Sequence, residues 1–353
     1  MTANAIAAGE GQEAAALLER TRETVNPELR RTVESLPGSM RRVAMYHFGW
    51  EDEEGRPTEG GAGKAIRPAL VLASAQALGG PLGGPGGSGE RGVVRAAVAV
   101  ELAHNFTLLH DDVIDKDVRR RGRPTAWAVF GTPDAIITGD AVMALALRLF
   151  AEDPHPAAAA ASARLAACVI ELCAGQQADC AFESRPDVAL DECLTMATAK
   201  TGALLGCACA LGALYAGAGP EEVEAMDAFG REAGLAFQLI DDLIGIWGDP
   251  AHTGKPAGAD LLARKKSLPV VAALTSGTRA GAELAELYAG PMAGDDVRAA
   301  ARAVERAGGR DWAQAHAADR MGRAVQELSR AVPDLGAAGG LLALAEFVTR
   351  RTR

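Results

Sequence analysis

The chain is short of aromatic residues, short of lysine and without any paired-cysteine spacing. Of its 353 residues 48% are apolar but only 4% are aromatic. Strands favour aromatic and β-branched residues, whereas alanine and leucine favour helix. No run of alternating β-branched residues stands out, so sheet is not expected. Cys168, Cys173, Cys180, Cys193, Cys207 and Cys209 form no Cys-x-x-Cys pair. Lying in apolar stretches, they read as reduced core thiols of a cytoplasmic protein. Met1-Thr2-Ala3-Asn4-Ala5 has neither the basic region nor the apolar run of a signal peptide. No stretch of about 18 uninterrupted apolar residues occurs, so no transmembrane segment is expected. The apolar run from Ala157 to Ala174 is broken by Arg164 and Glu171. A formal net charge of −10 argues against nucleic acid as the main partner, since a phosphate backbone needs a basic surface. Small phosphorylated molecules stay open, because they need only a local basic cluster.

What the chain does have is helical patterning almost throughout. Asn26-Pro27, Thr132-Pro133 and Gly219-Pro220 each carry the start signal of a helix, with proline in the first turn. Helices are expected at roughly 27–47, 66–78, 90–116, 134–151, 157–182, 189–215, 220–247, 266–275 and 295–330. Residues 1–25 are expected to be flexible, and 26–353 to form a single all-α domain. The Gly- and Pro-rich stretch 79–92 reads as a flexible inter-helix loop. It holds a GxGxxG match from Gly84 to Gly89, but no strand precedes it. Gly61-Ala62-Gly63-Lys64-Ala65 lacks the hydroxyl residue a P-loop needs after its lysine.

Only six lysines are present: Lys64, Lys116, Lys200, Lys255, Lys265 and Lys266. Most fall inside short motifs, where a compact ammonium suits phosphate as a point charge. Two motifs rich in aspartate lie far apart. In the first, Asp111 and Asp115 are four residues apart, so on a helix they share a face about 6 Å apart along the axis. Such like charges repel on a bare helix but suit magnesium, which takes oxygen ligands and keeps waters for substrate phosphates. His104 and Thr107 share that face, Asp112 flanks it, and Arg120 and Arg121 follow the helix end. In the second, Gln238 and Asp241 share a face with Asp242 beside them. Leu235, Phe237, Leu239, Ile240, Leu243, Ile246 and Trp247 make this helix apolar nearly all round, hence internal. Internal carboxylates call for a compensating cation.

In order and spacing these motifs resemble the trans-isoprenyl diphosphate synthase (polyprenyl synthetase) family, from about residue 30 to 350. Gly63-Lys64-Ala65-Ile66-Arg67-Pro68 looks like its basic motif, and His104 sits at the position used with it. Asp111, Asp112 and Asp115, followed by Arg120 and Arg121, match the first aspartate-rich motif. Gly175-Gln176-Gln177-Ala178-Asp179 matches the mid-chain motif, and Lys200-Thr201 the Lys-Thr pair. Gln238, Asp241 and Asp242 match the second aspartate-rich motif, and Gly254-Lys255, Asp260 and Lys265 the loop after it.

The resemblance implies an all-α isoprenoid synthase-type helical bundle around a deep central cavity, usually a homodimer. It implies condensation of isopentenyl diphosphate with an allylic diphosphate to a linear prenyl chain. About three Mg2+ ions, bound by the two aspartate motifs with the substrate diphosphate, would serve as cofactor. Lys64, Arg67, His104 and Arg121 would hold isopentenyl diphosphate. Lys200, Lys255, Lys265 and Arg120 would hold the allylic diphosphate, and Lys200, Thr201, Gln238 and Asp179 would steady the allyl cation. Phe106 and Thr107, just before Asp111, resemble the chain-length positions of geranylgeranyl-producing members, so a C20 product is expected with C15 next. One departure stands out: Gly245 replaces the third aspartate of the second motif, and a weaker third magnesium is expected. Two alternatives are a class I terpene cyclase, suggested by Asp249 beyond Gly245, and a non-catalytic subunit of a heteromeric synthase.

Overall fold

Burial on one stripe organises the first element of the computed structural model, which describes residues 3–58, 60, 63–80, 88–249 and 257–349. Helix α1 spans Ala3–Glu34. Ala14, Leu17, Leu18, Thr21, Val25, Leu29 and Val33 are buried, and a spacing of three or four winds them onto one face. Burying each larger side chain contributes roughly 1.5–3 kcal/mol. That outweighs the cost of about 3 kcal/mol for an interior proline, and the helix runs through Pro27. The helix therefore begins at Ala3, well ahead of the start expected at Pro27. The expected helix 27–47 is instead divided at Pro37, after which α2 covers Gly38–His47.

The chain forms two compact units. The first comprises Met1–Val169, Cys207–Asp227 and Arg330–Leu344. It holds α1, α2, α3 (Ile66–Ala77), α4 (Ser88–Ile114), α5 (Ala126–Phe130), α6 (Thr132–Ala151) and the start of α7 (Ala158–Ser184). Helix α4 packs against α1, α3 and α6, and Val93, Ala96–Val100, Leu102 and Ala103 are all buried along it. The expected loop 79–92 is shorter, because α4 begins at Ser88; residues 81–87, with most of the GxGxxG match, lie outside the described residues. After α4 comes a hairpin of β1 (Arg119–Arg120) and β2 (Arg123–Pro124), antiparallel with Arg120 opposite Arg123. Its turn residues Arg121 and Gly122 have φ of 53° and 77°, the double left-handed pattern of the tightest hairpin. Strands of two residues leave no room for the alternation by which a sequence reveals sheet.

The second unit comprises Ile170–Gly206, Ala228–Ser329 and Ala345–Arg353. It holds the rest of α7, α8 (Leu190–Ala197), one π-helical turn (Thr198–Gly202), the start of α9 (Ala203–Ala216) and most of α10 (Pro220–Trp247). Short helices α11 (Ala259–Leu262), α12 (Leu268–Leu274), α13 (Arg279–Tyr288) and α14 (Gly294–Arg306) follow, then most of α15 (Gly309–Ala331) and part of α16 (Gly339–Thr349). Leu235, Leu239, Ile240 and Leu243 of α10 share a buried cluster with Phe182, Cys193, Leu268 and Val271, as an internal helix should. The single helix expected over 295–330 is two, parted at Gly308, whose φ is 84°.

Cys168, Cys193, Cys207 and Cys209 are buried as expected, but Cys173 is exposed; none of the six is in a disulfide among the described residues. By length and composition three helical stretches could cross a membrane: Arg91–Ile114, Ala158–Ser184 and Leu190–Ala216. The expectation of no such segment rested on uninterrupted apolar runs, whereas these stretches qualify on average hydropathy, which scattered charges lower little. The first and third are mostly buried inside the protein.

Candidate active site

The expected site residues fall into two groups, one in each unit. In the first unit they lie on the last turns of α4 and on the hairpin behind it. The Asp115 amide donates to the Asp111 carbonyl at 2.8 Å. Helical spacing therefore persists past Ile114 and keeps these two carboxylates one turn apart. Asp111 is half-buried and Asp115 exposed. Asp112 points elsewhere: it is 2% exposed, and its Oδ1 accepts from Arg120 Nε at 2.7 Å. Its Oδ2 is buried without a partner. Burial raises the Asp112 pKa, and Arg120 opposes that rise.

One turn earlier, α4 carries a buried polar group among apolar neighbours. Asn105 Nδ2 donates to the Glu101 carbonyl at 2.8 Å and to Glu101 Oε1 at 3.2 Å. Burial raises the Glu101 carboxyl, while Arg67 and Arg121 pull it down. Burial lowers the Arg67 guanidinium, with Glu101 acting against it and Arg121 with it. Burial lowers Arg121 too, although the residue as a whole is exposed at the hairpin turn. His104 is pushed well down, by burial first and then by Arg67, Arg121 and Arg120. It is therefore neutral near pH 7 and adds a hydrogen-bonding ring without adding charge. Lys64 is exposed, and a Cβ at the preceding Gly63 would lie 2.7 Å from an Arg121 guanidinium nitrogen. The chain turns there through Gly63 and Ala65, with φ of 103° and 54°. A left-handed alanine costs of order 1–3 kcal/mol, and such strain gathers at functional turns.

Phe106 is 9% exposed, and its ring meets His110 edge-on at 4.7 Å. His110 is held in turn against the Ile136 carbonyl at 3.1 Å. The Thr107 hydroxyl donates to the His104 carbonyl at 2.8 Å, so it is already committed to its own helix.

In the second unit the π-helical turn carries Lys200 and Thr201. Widened turns of this kind recur at functional sites. Gly175 on α7 lets the two elements close up: a Cβ there would lie 2.6 Å from the Lys200 amide nitrogen. Lys200 Nζ then pairs with Asp179 Oδ2 at 2.5 Å. Thr201 Oγ1 donates to Gln238 Oε1 at 2.6 Å, and Gln238 Nε2 donates to Asp242 Oδ1 at 2.8 Å. The sequence reading paired Gln238 with Asp241; the bond instead goes one residue further, to the i+4 neighbour.

Asp242 is 3% exposed, and its Oδ2 accepts from the Leu268 amide at 2.9 Å. Burial pushes its carboxyl up to about 6, against the pull of Lys265 and these hydrogen bonds. Lys265 Nζ stands 3.9 Å from Asp242 Oδ1. Burial pulls the Lys265 ammonium down, but Asp242, Asp260, Asp179 and Asp241 together raise it. Asp241 itself is exposed.

The departure at Gly245 has a structural counterpart. A Cβ on residue 245 would lie 2.1 Å from Asp260 Oδ2 and 2.5 Å from its Cγ. The carboxylate of Asp260 thus occupies the place where a side chain at 245 would begin. Lys255 lies outside the described residues. Glu101 and Asn105 escaped the sequence reading, though two polar residues inside the apolar run of α4 were a usable signal.

The Polyprenyl synthetase family model matches residues 58–305. A geranylgeranyl diphosphate synthase of Mycobacterium tuberculosis is 46% identical, over 95% of this chain and 93% of that protein. A (2E,6E)-farnesyl diphosphate synthase of the same species is 44% identical, over 93% and 91%. The crystal structure of polyprenyl synthetase from Streptomyces coelicolor A3(2) superposes with a TM-score of 0.88 at 43% identity, covering 94% of this chain and 98% of that one. A polyprenyl synthase from Caulobacter crescentus, complexed with calcium and isoprenyl diphosphate, gives a TM-score of 0.81 at 28% identity, over 97% and 98%. The chain belongs to the polyprenyl synthetase family. It is a trans-prenyltransferase of the all-α isoprenoid synthase fold.

Proposed function

We propose that the protein condenses isopentenyl diphosphate with an allylic diphosphate in the presence of Mg2+, and that its product is geranylgeranyl diphosphate (C20), with farnesyl diphosphate (C15) next. The observation that carries this reading is the basic group of Arg67, Arg121 and neutral His104 in the same unit as the first aspartate motif. An enzyme acting on one diphosphate alone, as a cyclase does, has no use for that second anion site.

The donor sets suit magnesium. Asp111 and Asp115 offer carboxylates one turn apart, the open arrangement that leaves ligand positions for substrate phosphates and water. Asp112 keeps a buried, unpartnered Oδ2 beside them. In the second unit, four carboxylates already act on one ammonium, that of Lys265. Asp111, Asp115 and Asp241 would hold the ions, with Asp112 and Asp242 supporting them from inside. When bound, the ions would offset charge growing on the departing diphosphate.

The remaining work falls to side chains. Lys200, Arg120, Lys255 and Lys265 add positive potential around the allylic diphosphate. Lys64, Arg67, His104 and Arg121 orient isopentenyl diphosphate. Asp179, Thr201 and Gln238 direct oxygens and dipoles at the allyl cation, and the bonds Lys200–Asp179 and Thr201–Gln238 hold them in place. No side chain is assigned as general base; the released diphosphate takes the proton. Phe106 closes the chain-length floor, its ring braced by His110. The reading also takes residues 26–353 as one catalytic domain, working in the cytoplasm as a homodimer. Exposed Ile136 and Ile137 on α6 offer an apolar surface for a second copy.

The test is mass analysis of products from isopentenyl diphosphate, farnesyl diphosphate and magnesium. A C20 diphosphate is expected, and Phe106→Ala should extend it by one or more five-carbon units. A hydrocarbon from geranylgeranyl diphosphate alone, or no turnover by the isolated chain, would overturn the reading.

A further inference from the structure

Glycine in the middle of a helix weakens it relative to alanine, yet α6 carries Gly139 well inside Thr132–Ala151. Helix α6 packs along α4. Ala135, Thr138 and Val142 are buried with Gly139, at the spacing of one helical stripe. What the glycine makes room for is His110 of α4. A Cβ on residue 139 would lie 2.4 Å from His110 Nε2 and 2.5 Å from its Cδ2. Ordinary contact begins at about 3.5 Å, so the imidazole occupies the place where a side chain at 139 would begin.

The ring seated there is held from both helices. Its Nε2 stands 3.1 Å from the Ile136 carbonyl on α6. A carbonyl only accepts, so this nitrogen carries the hydrogen. Asp140 Oδ1 lies 3.5 Å from the same nitrogen. On α4 the ring meets Phe106 edge-on at 4.7 Å. Phe106 and His110 are four residues apart on one face, and a helical side chain leans over the residue four before it. A line of contact thus runs from the α6 backbone, through the imidazole, to the Phe106 ring. A methyl group at 139 breaks it, because the imidazole must leave the Ile136 carbonyl, and the neighbour it leans over is Phe106.

We propose that Gly139 is a specificity-determining position that keeps the product to one length, by admitting the His110 ring that positions Phe106. The inference rests on the reading that Phe106 closes the chain-length floor, and it adds α6 as the element that fixes where the floor stands. Gly139 has no side chain to offer a substrate; it acts through two rings and is a positioning residue. A floor that stops a growing chain must hold its place to within a fraction of one five-carbon unit. A ring free to take two positions stops two chain lengths.

The test reads, by mass, the ratio of C20 to all other products made from geranyl diphosphate, isopentenyl diphosphate and magnesium. A loss of folded enzyme lowers all products together and leaves this ratio alone. One methyl of overpacking shifts such a balance by about tenfold, so Gly139→Ala should lower the ratio by that factor. His110→Ala, which removes the brace, should broaden the products likewise, and adding Gly139→Ala to it should change nothing further. In a Phe106→Ala background Gly139→Ala should have no effect on product length. If Gly139→Ala keeps the wild-type ratio, or shifts products equally with and without Phe106, the inference falls. Should Gly139→Ala fail to fold, His110→Ala decides alone, and an unchanged ratio there also overturns it. If Phe106→Ala still gives only C20, the chain-length reading itself fails and takes the inference with it.

Discussion

The two aspartate motifs solve one problem by different means. Each places a pair of adjacent carboxylates at a helix, and each buries the second of the pair: Asp112 is 2% and Asp242 3% exposed. In the first unit a single arginine, delivered by the tight hairpin, neutralises Asp112 and leaves one of its oxygens unpartnered. In the second unit Asp242 is held from three directions, by Gln238, by the Leu268 amide and by Lys265. The neighbouring residues Asp111, Asp115 and Asp241 are left nearer the surface. The lesson is a division of labour: the inner carboxylate anchors the motif, and under the proposed function the outer ones would be presented for metal.

The largest expected effect would break that division. Exposed Asp241→Ala and Asp115→Ala should lower kcat by about a hundredfold or more while moving the urea midpoint little. Asp112→Ala and Asp242→Ala should each cost about 3–5 kcal/mol of stability, because each leaves a buried cation or donor uncompensated. Equal stability losses at inner and outer positions would refute the distinction. A second, smaller effect concerns Gly245. Gly245→Asp restores the aspartate that this family motif carries, yet it should cut activity about tenfold or more by driving Asp260 from its place. Gly245→Asp combined with Asp260→Gly should recover part of the loss, measured as kcat over a magnesium titration.

The smallest effect is a pH dependence that sharpens the contrast. His47 titrates near 3 in the folded protein, against 6.5 for a free ring, and His104 is lowered as well. Between those limits the unfolded chain binds protons that the folded one refuses. Each ring therefore takes away about 1.4 kcal/mol of stability per pH unit as pH falls below 6.5. Asp242 runs the other way. Its carboxyl is raised from 3.8 to about 6, so its contribution is present below 3.8 and is lost as pH rises through 6. Urea midpoints between pH 4 and 6 should show His47→Gln flattening the acid-side slope and Asp242→Asn steepening it.

Much of this was legible beforehand. The fourfold spacing of Asp111 and Asp115 and the apolar surround of Gln238, Asp241 and Asp242 are local patterns, and α4 and α10 bear them out. Helix ends were harder. Pro27 reads as a start, but the stripe from Ala14 to Val33 overrides a single residue, because summed burial exceeds one lost backbone hydrogen bond. The hairpin at Arg121 was invisible because two-residue strands have no periodicity.

The sequence by itself determined the helical class, the order of the motifs and the residue types available for diphosphate and metal. These depend on side-chain chemistry and on spacing within one turn of helix. Only the tertiary structure decided which aspartate of each pair is buried, that Asp260 fills the space left at Gly245, and that His47 shares a cavity with Arg120 and Arg121. Those facts arise from contacts between residues distant along the chain, where burial and charge act through space and leave no trace in local order.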